Sequence, residues 1–507
     1  MIKDYKRWIV LLLVSSMLFL IVVDVTVLYT ALPRLTHDLN ASASEKLWIM
    51  NAYPLIVAGL LPAAGMLTDR IGHKTLFICG LPLFALASLC AAFSPTATTL
   101  IASRGFLAVG AAMSMPATLS IVRQVFSDSQ ERAIAIGIWS AVASGGAALG
   151  PLIGGMLLEH FWWGSVFLIN VPIVLLVLPF SIWLIPKFAG HGNHKIDYLS
   201  SVLILIGLIS AIYALKELGK PYTQWNEVTI TGVIAVIFLT LFTLRQRKQT
   251  HPMIDFGLFK NRFFSIGILM AVLSMVIIVG IELLLSQRLQ LVAGFTPLNA
   301  ALMILPIPIG SVLASPLAGY FLTRLGEIRL IIAGFMLTLI GNLWLIAVYQ
   351  TTSPMVLIGS LFLIGFGLGI IFTTASTSIM LSVADKQAGM AASIEDVAYE
   401  LGSVIGVTFM GSLMSTVYTL KLVLPDSLAI NDAAYDSLDE ALIVAEKLPN
   451  DVASLVISQA NLAFENAFFV VLIATAIMTA LSLFFLPYCL RHTVRKKTIN
   501  HNSLLDQ

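Results

Sequence analysis

Windows of about twenty consecutive apolar residues recur along the whole 507-residue chain, and that recurrence leaves few folds open. A helix needs about 20 residues, at 1.5 Å each, to cross a hydrocarbon core. Such windows lie near residues 8–30, 46–67, 74–93, 97–119, 134–158, 163–185, 199–217, 227–245, 263–286, 297–321, 327–349, 354–377, 388–418 and 464–488. Hydrophobic residues make up 58% of the chain and charged residues 11%, too apolar a balance for a water-soluble domain of this length. Lipid is therefore the solvent, and the backbone must satisfy itself within helices. The expected fold is all-α and integral to the membrane, with 14 transmembrane helices.

Charge placement tests that count, because cytoplasmic loops hold the excess of Lys and Arg. Sorting by alternate loops puts 21 of the 29 basic residues on the side of both termini and 7 on the other, with Arg104 inside a span. A miscounted helix would scramble the split. The sequence therefore predicts a multi-pass membrane protein with both termini cytoplasmic. Lys3, Lys6 and Arg7 ahead of an apolar run imitate a secretory signal, but the run contains Asp24 and no small-residue cleavage site, so it reads as a retained first span.

Several function classes drop out. A net charge of +2 gives no reason to expect nucleic acid as a partner. Cys79, Cys90 and Cys489 sit in apolar stretches without the spacing of a disulfide framework or metal site, and they read as packing residues. Gly72-His73-Lys74-Thr75 approaches a phosphate loop but lacks its adjacent Gly-Lys, so ATP is not the expected fuel. No metal, cofactor or enzymatic nucleophile is expected.

Three patterns point to a family. After the second span, Gly65-Met66-Leu67-Thr68-Asp69-Arg70-Ile71-Gly72-His73-Lys74 forms a tight basic turn matching G-x-L-x-D-R-x-G-x-K. Arg104 with Gly110 follows in the fourth span. In the fifth, Gly146, Gly150, Pro151, Gly154 and Gly155 spell G-x3-G-P-x2-G-G. Glycines four apart share a helix face, which suits either close packing of a neighbouring helix or a hinge and seal between halves. Further stretches are Asp24-Val25-Thr26-Val27 leading to Ala31-Leu32-Pro33, Trp162-Trp163-Gly164 leading to Asn170-Val171-Pro172, Leu47-Trp48-Ile49, and Glu395-Asp396 with Tyr399 and Glu400.

Together these make the chain resemble the major facilitator superfamily, and within it the fourteen-helix drug:proton antiporters that export quaternary ammonium compounds and methyl viologen. The resemblance implies two six-helix bundles, residues 1–190 and 251–490, with two helices inserted at 191–250, a periplasmic loop at 419–463 and a cytoplasmic tail at 491–507. It also implies alternating access between the bundles. The expected partners are small organic cations, protons and membrane lipid, carried by a monomer driven by the proton gradient. Two rivals stand: the same fold exporting a neutral antibiotic, siderophore or metabolite, and a receptor that moves nothing. Asn51 stands where close relatives often carry Asp, and Ser311 where some carry another acid, leaving fewer membrane acids for broad polyspecificity and for dications.

A carboxylate at the bilayer centre costs about 2.5 to 3.5 kcal/mol, so each membrane acid needs a partner or a task. Asp24 lies about 12 Å below the outer end of the first span, at a depth similar to Arg104, and the two are candidates for an ion pair. Glu395, Asp396 and Glu400 are placed about ten to fifteen residues into the thirteenth span, near its middle. Residues four apart share a face, so Asp396 stacks with Glu400 and Glu395 with Tyr399. Such a strip suits cations that donate no strong hydrogen bond, with Trp48, Tyr53, Trp139 and Tyr399 as candidate aromatic walls. A proton and a cation alternating on one carboxylate would couple the two fluxes. Glu282, near the outer end of the ninth span, reads as interfacial, with a vestibule role as the alternative. In the loop at 419–463, Asp426, Asp432, Asp436, Asp439, Glu440 and Glu446 read as solvating groups. Apolar spacing at Leu438, Ile443, Val444 and Leu448 suggests an ordered hairpin there.

Overall fold

A computed structural model describes residues 4–39, 41, 43–187, 197–218, 223–249, 252, 254–350, 354–384, 387–424, 432–435, 438–446 and 448–505. The apolar runs become α1 (Asp4–Asp38), α2 (Ala43–Ile71), α3 (His73–Ala92), α4 (Ala97–Val125), α5 (Ser129–His160), α6 (Ser165–Leu168), α7 (Asn170–Leu184), α8 (Tyr198–Leu218) and α9 (Trp225–Lys248). The second half holds α10 (Arg262–Gln287), α11 (Pro297–Ile304), α12 (Pro306–Leu325), α13 (Glu327–Val348), α14 (Pro354–Leu381), α15 (Ala388–Lys421), α16 (Leu438–Ala445) and α17 (Asn450–Leu505). Among the described residues, 13 helices are long and apolar enough to cross a membrane, and the segment expected as the seventh span is a shorter apolar helix, Leu199–Leu215. Two expected spans are broken in two. The sixth divides into α6 and α7, and the tenth into α11 and α12, where Pro306 at the start of α12 has no N–H to continue the ladder.

Local chemistry sets the ends. The Asp128 carboxylate accepts from the backbone N–H groups of Gln130 and Glu131 to open α5, and Asn261 accepts from Phe263 to open α10. The links from α2 to α3 and from α12 to α13 turn at Gly72 (φ 95°) and Gly326 (φ 79°), a region that favours glycine. These two turns are repeats: Gly65, Arg70 and Gly72 have the same spacing as Gly319, Arg324 and Gly326. The sequence reading missed that repeat.

One apolar core is built mainly by α1 to α7 and a second mainly by α10 to α17. The halves meet along two seams, α5 against α12 and α14, and α2 and α4 against α15. Contact is tight toward the side of the termini. A Cβ on Gly65 would lie 2.4 Å from Ser393 Oγ, and one on Gly319 would lie 2.2 Å from the Ala133 carbonyl. The Arg123 guanidinium donates to the Val383 carbonyl at the same end. Midway, Ser144 and Ser311 hydroxyls pair at 2.8 Å, and toward the far end a Cβ added on Gly155 would come no nearer to the other half than 4.0 Å, at Leu298. The halves thus close at one end and part toward the other.

The inserted pair covers the α2–α15 seam. α8 packs on both α2 and α15, with α9 outside it. Gly59 admits Leu205, and Thr408 donates to the Leu215 carbonyl at 2.9 Å. At the membrane edge the Asp197 carboxylate receives Arg245 through Nε and Nη2, both at 3.0 Å, and also receives Ser200 and Gln249. Burial pushes the Asp197 carboxyl up, but those hydrogen bonds outweigh it and hold the group well below the usual carboxylate range. A depressed folded value stabilises above the unfolded value, about 3.9, and that contribution fades as pH falls below it. Asp197→Asn is accordingly expected to lower the thermal unfolding midpoint in detergent modestly at pH 7, with the gap to wild type narrowing below about pH 4.

The outer segment at 419–463 differs from a loop. It holds a 3-10 turn at Asp432–Tyr435, then α16, and α17 starts at Asn450, well before the expected last span. α16 buries Leu438, Ala441 and Ala445 in the second core, and Tyr418 Oη donates to the Ala434 carbonyl at 3.2 Å. The structure therefore gives the hairpin a packing role, since amphipathic spacing buries a face whenever a surface is near. Asp426, Asp436 and the side chains of Asp432, Asp439, Glu440 and Ile443 lie outside the described residues.

Candidate functional site

Asp24 is wholly buried, and its charge is already committed. Arg104 Nη1 donates to Oδ2 at 2.6 Å, and Asn170 Nδ2 donates to Oδ1 at 3.1 Å while also reaching Ser88 Oγ. The guanidinium lies 4.8 Å from the Tyr53 ring centre and 6.0 Å from that of Phe167, and its Nε points to the Ile49 carbonyl. One acid thereby joins α1, α4 and α7, with α2 stacked on its partner. Asn170, which completes this set, was quoted from the sequence only as part of a motif.

The α15 acids sit elsewhere. Glu395, Asp396 and Glu400 fall seven, eight and twelve residues after Ala388 in a 34-residue helix, so they lie nearer the end where the halves close than its middle. The expected central position failed because the acids already stand only seven to twelve residues from the start of the apolar window at 388, which the helix shares and exceeds by just three residues, to Lys421. Glu395 is fully buried, and its Oε1 accepts from Ser376 of α14 and from Tyr399 at 3.1 Å. Tyr399 in turn meets Phe372 edge-on at 5.8 Å. Asp396 is 2% exposed, and Glu400 is half-buried. Glu395 Oε2 and Asp396 Oδ2 are buried without a hydrogen-bond partner among the described residues.

Two faces of one helix are thus used differently. Gly389, Ser393, Asp396 and Glu400 follow one another at helical spacing, and the first two abut Gly65 of α2, so Asp396 and Glu400 face the seam between halves. Glu395 and Tyr399 face α14. Ser376 escaped the sequence reading because a hydroxyl in an apolar run carries no signal of its own.

The aromatic candidates separate. Tyr53 is buried over Arg104. Trp139 is buried and donates through Nε1 to Thr118 Oγ1 at 3.1 Å, a contact within the first half. Trp48 leaves the pocket: it is 42% exposed and stacks on Tyr213 of α8 at 6.2 Å. Tyr399 bonds Glu395, and Tyr53 lies close enough to Glu400 for the two to interact electrostatically. Trp48 was misplaced because its orientation depends on where the inserted helix docks.

The glycine motif has a resolved partner. A Cβ on Gly146 would lie 3.2 Å from Val22, and one on Gly150 would lie 1.9 Å from Thr26 Oγ1, so this face packs α5 onto α1 inside the first half. Gly137, Gly145 and Ser144 face α12 across the seam instead. Gly154 is buried and Gly155 has space around it, while Pro151 lies inside α5. In the basic turn, Lys74 Nζ donates to the Ile182 and Ile185 carbonyls at 2.6 and 2.5 Å, closing the end of α7. Arg70 is half-buried, and the side chains of Asp69 and Asn51 lie outside the described residues.

Known proteins share this architecture and sequence. The family model of the Major Facilitator Superfamily matches residues 14–407. The methyl viologen resistance protein SmvA of Salmonella typhimurium is 38% identical over 91% of this chain and 93% of its own length. The multidrug efflux pump LfrA of Mycolicibacterium smegmatis is 34% identical over 91% and 92%. Among solved structures, the human organic anion transporter MFSD10 (TETRAN) superposes with a TM-score of 0.60 over 94% of this chain and 100% of its own, at 15% identity, a likeness of fold. The chain is a multi-pass membrane protein of the major facilitator superfamily, in the branch that holds the methyl viologen resistance and multidrug efflux transporters.

Proposed function

We propose that this protein is a proton-coupled antiporter that expels lipophilic organic cations, such as quaternary ammonium compounds, cationic dyes, viologens and biguanides, across the bacterial inner membrane. Both termini lie in the cytoplasm, and the halves, residues 1–190 and 251–490, alternate about the seams. The reading is carried by the orphaned oxygens of Glu395 and Asp396. A buried carboxylate left without a hydrogen bond needs a counter-species, and a proton or a cation supplies one. Asp396 and Glu400 face the seam and host the cation and the proton in turn, while Glu395, held by Ser376 and Tyr399, stays beside them as a further proton site. The names of the similar proteins support an efflux role for resistance compounds.

Proton and cation lower each other's affinity when they share one carboxylate, and that mutual exclusion is the coupling. Exchange of one monocation for one proton moves no net charge, whereas each uncompensated charge costs about 2.3 kcal/mol per 100 mV. Purified protein in weakly buffered detergent is expected to release protons when tetraphenylphosphonium is added, in proportion to occupied sites. A flat pH trace at saturating cation would refute the exchange. The same cation driven by an imposed potential at zero pH gradient would refute the one-for-one ratio.

A further inference from the structure

Glu282 is an acid in an otherwise apolar stretch of α10, and the exchange site does not use it. It is half-buried, and no described residue gives it a hydrogen bond or an opposite charge. The polar groups one and two turns beyond it are occupied with each other, since Gln290 Nε2 donates to Ser286 Oγ at 2.9 Å. Its direction follows from the helix period. Gly267 abuts Ile379 of α14 while Val272, Val276 and Gly280 abut α15, and the azimuth of Glu282 falls between those two sides; α14 and α15 in turn pack on α5, α2 and α4, so this face of α10 looks toward the first half. α10 packs on α14, α15 and α17 through its remaining sides.

Its level follows from the contact with α15. Gly402 abuts Val272 and Gly280 abuts Met410, so the two helices run parallel and Glu282 stands level with Ser412. That is twelve residues outward of Glu400, about 18 Å along the axis. The face of α15 that carries Asp396 and Glu400 continues outward through Val407, which is 40% exposed, to Gly411, where an added Cβ would meet no neighbouring side chain or helix within 4 Å. The acidic face of α15 and the Glu282 face of α10 therefore border the same opening, on the side where the halves part.

We propose that Glu282 forms a second, outer binding position for a permanent organic cation, occupied between the deep carboxylates and the outside. A quaternary or delocalised cation donates no strong hydrogen bond and is held by uncompensated negative charge. The position rests on the exchange reading for the direction of travel, though not for the binding itself. It gives a released cation a place to wait while the deep acids take up protons.

The test uses the full-length protein with Cys79, Cys90 and Cys489 replaced by Ser, and Ser286→Cys one turn above the acid. Intact cells are treated with membrane-impermeant methanethiosulfonates, one carrying trimethylammonium and one carrying sulfonate. Ser286→Cys is expected to react from outside, faster with the cationic reagent, and tetraphenylphosphonium is expected to protect it. Adding Glu282→Gln should lower the cation-to-anion rate ratio about tenfold and remove the protection, whereas Asp396→Asn should leave both in place. The proposal is overturned if Ser286→Cys does not react from outside, if Glu282→Gln changes neither quantity, or if Asp396→Asn alone removes protection. Failure of the exchange reading would show separately, as wild-type protein that releases no protons while protection at Ser286→Cys persists.

Discussion

Asp396→Asn is expected to abolish substrate-induced proton release, to the level of empty detergent, while the protein still inserts and purifies as wild type does. The amide has the shape of the carboxyl group but binds no proton that a cation can displace. Asp396 Oδ2 has no hydrogen-bond partner among the described residues, so the substitution breaks no described bond at that atom. Glu395→Gln tests the neighbouring role. It keeps an acceptor for Ser376 and Tyr399 and removes the titrating group, so cation binding should persist while the response of binding to pH flattens. If both variants release protons as wild type does, the α15 acids are not the exchange site. If Glu395→Gln instead loses cation binding with its pH response intact, the two roles are reversed.

The second large effect concerns stability. Arg104→Ala is expected to cost about 3 to 5 kcal/mol, because it strands the Asp24 charge away from water. Arg104 is 1% exposed and Asp24 0%, so neither gains solvation when the other leaves. In practice the variant should fail to accumulate as a monodisperse protein after mild heating in detergent. Replacing both charges, Asp24→Asn with Arg104→Leu, should restore much of the thermal midpoint, since a buried ion pair exchanged for packed neutral groups is often near neutral. Transport should return with it, because the Asp24 charge is committed to architecture. A stable double variant that moves no cation would place Asp24 back among the exchanging acids.

The two effects have different origins within one chemistry. Asp24 is a membrane carboxylate whose negative charge has been answered by Arg104 and Asn170. Glu395 and Asp396 are membrane carboxylates with an oxygen left unanswered. The first condition stabilises a fold, and the second asks for a mobile counter-species. From the sequence both look alike, as acids in apolar helices.

The sequence alone determined the helical class, the register of the apolar spans, the family and the i, i+4 pairing of Glu395 with Tyr399. Each follows from local rules, since span length, helix period and short motifs involve residues within one turn or one window. Tertiary structure decided what depends on distant partners. Arg104 meets Asp24 across 80 positions and Asn170 meets it across 146, so their pairing was only a depth coincidence until the helices packed. The same holds for Trp48 turning to Tyr213 and for Gly146 and Gly150 lying on α1 rather than on the other half. Hydropathy says that a face is apolar or acidic, but only packing between helices says which neighbour covers that face and which face is left bare.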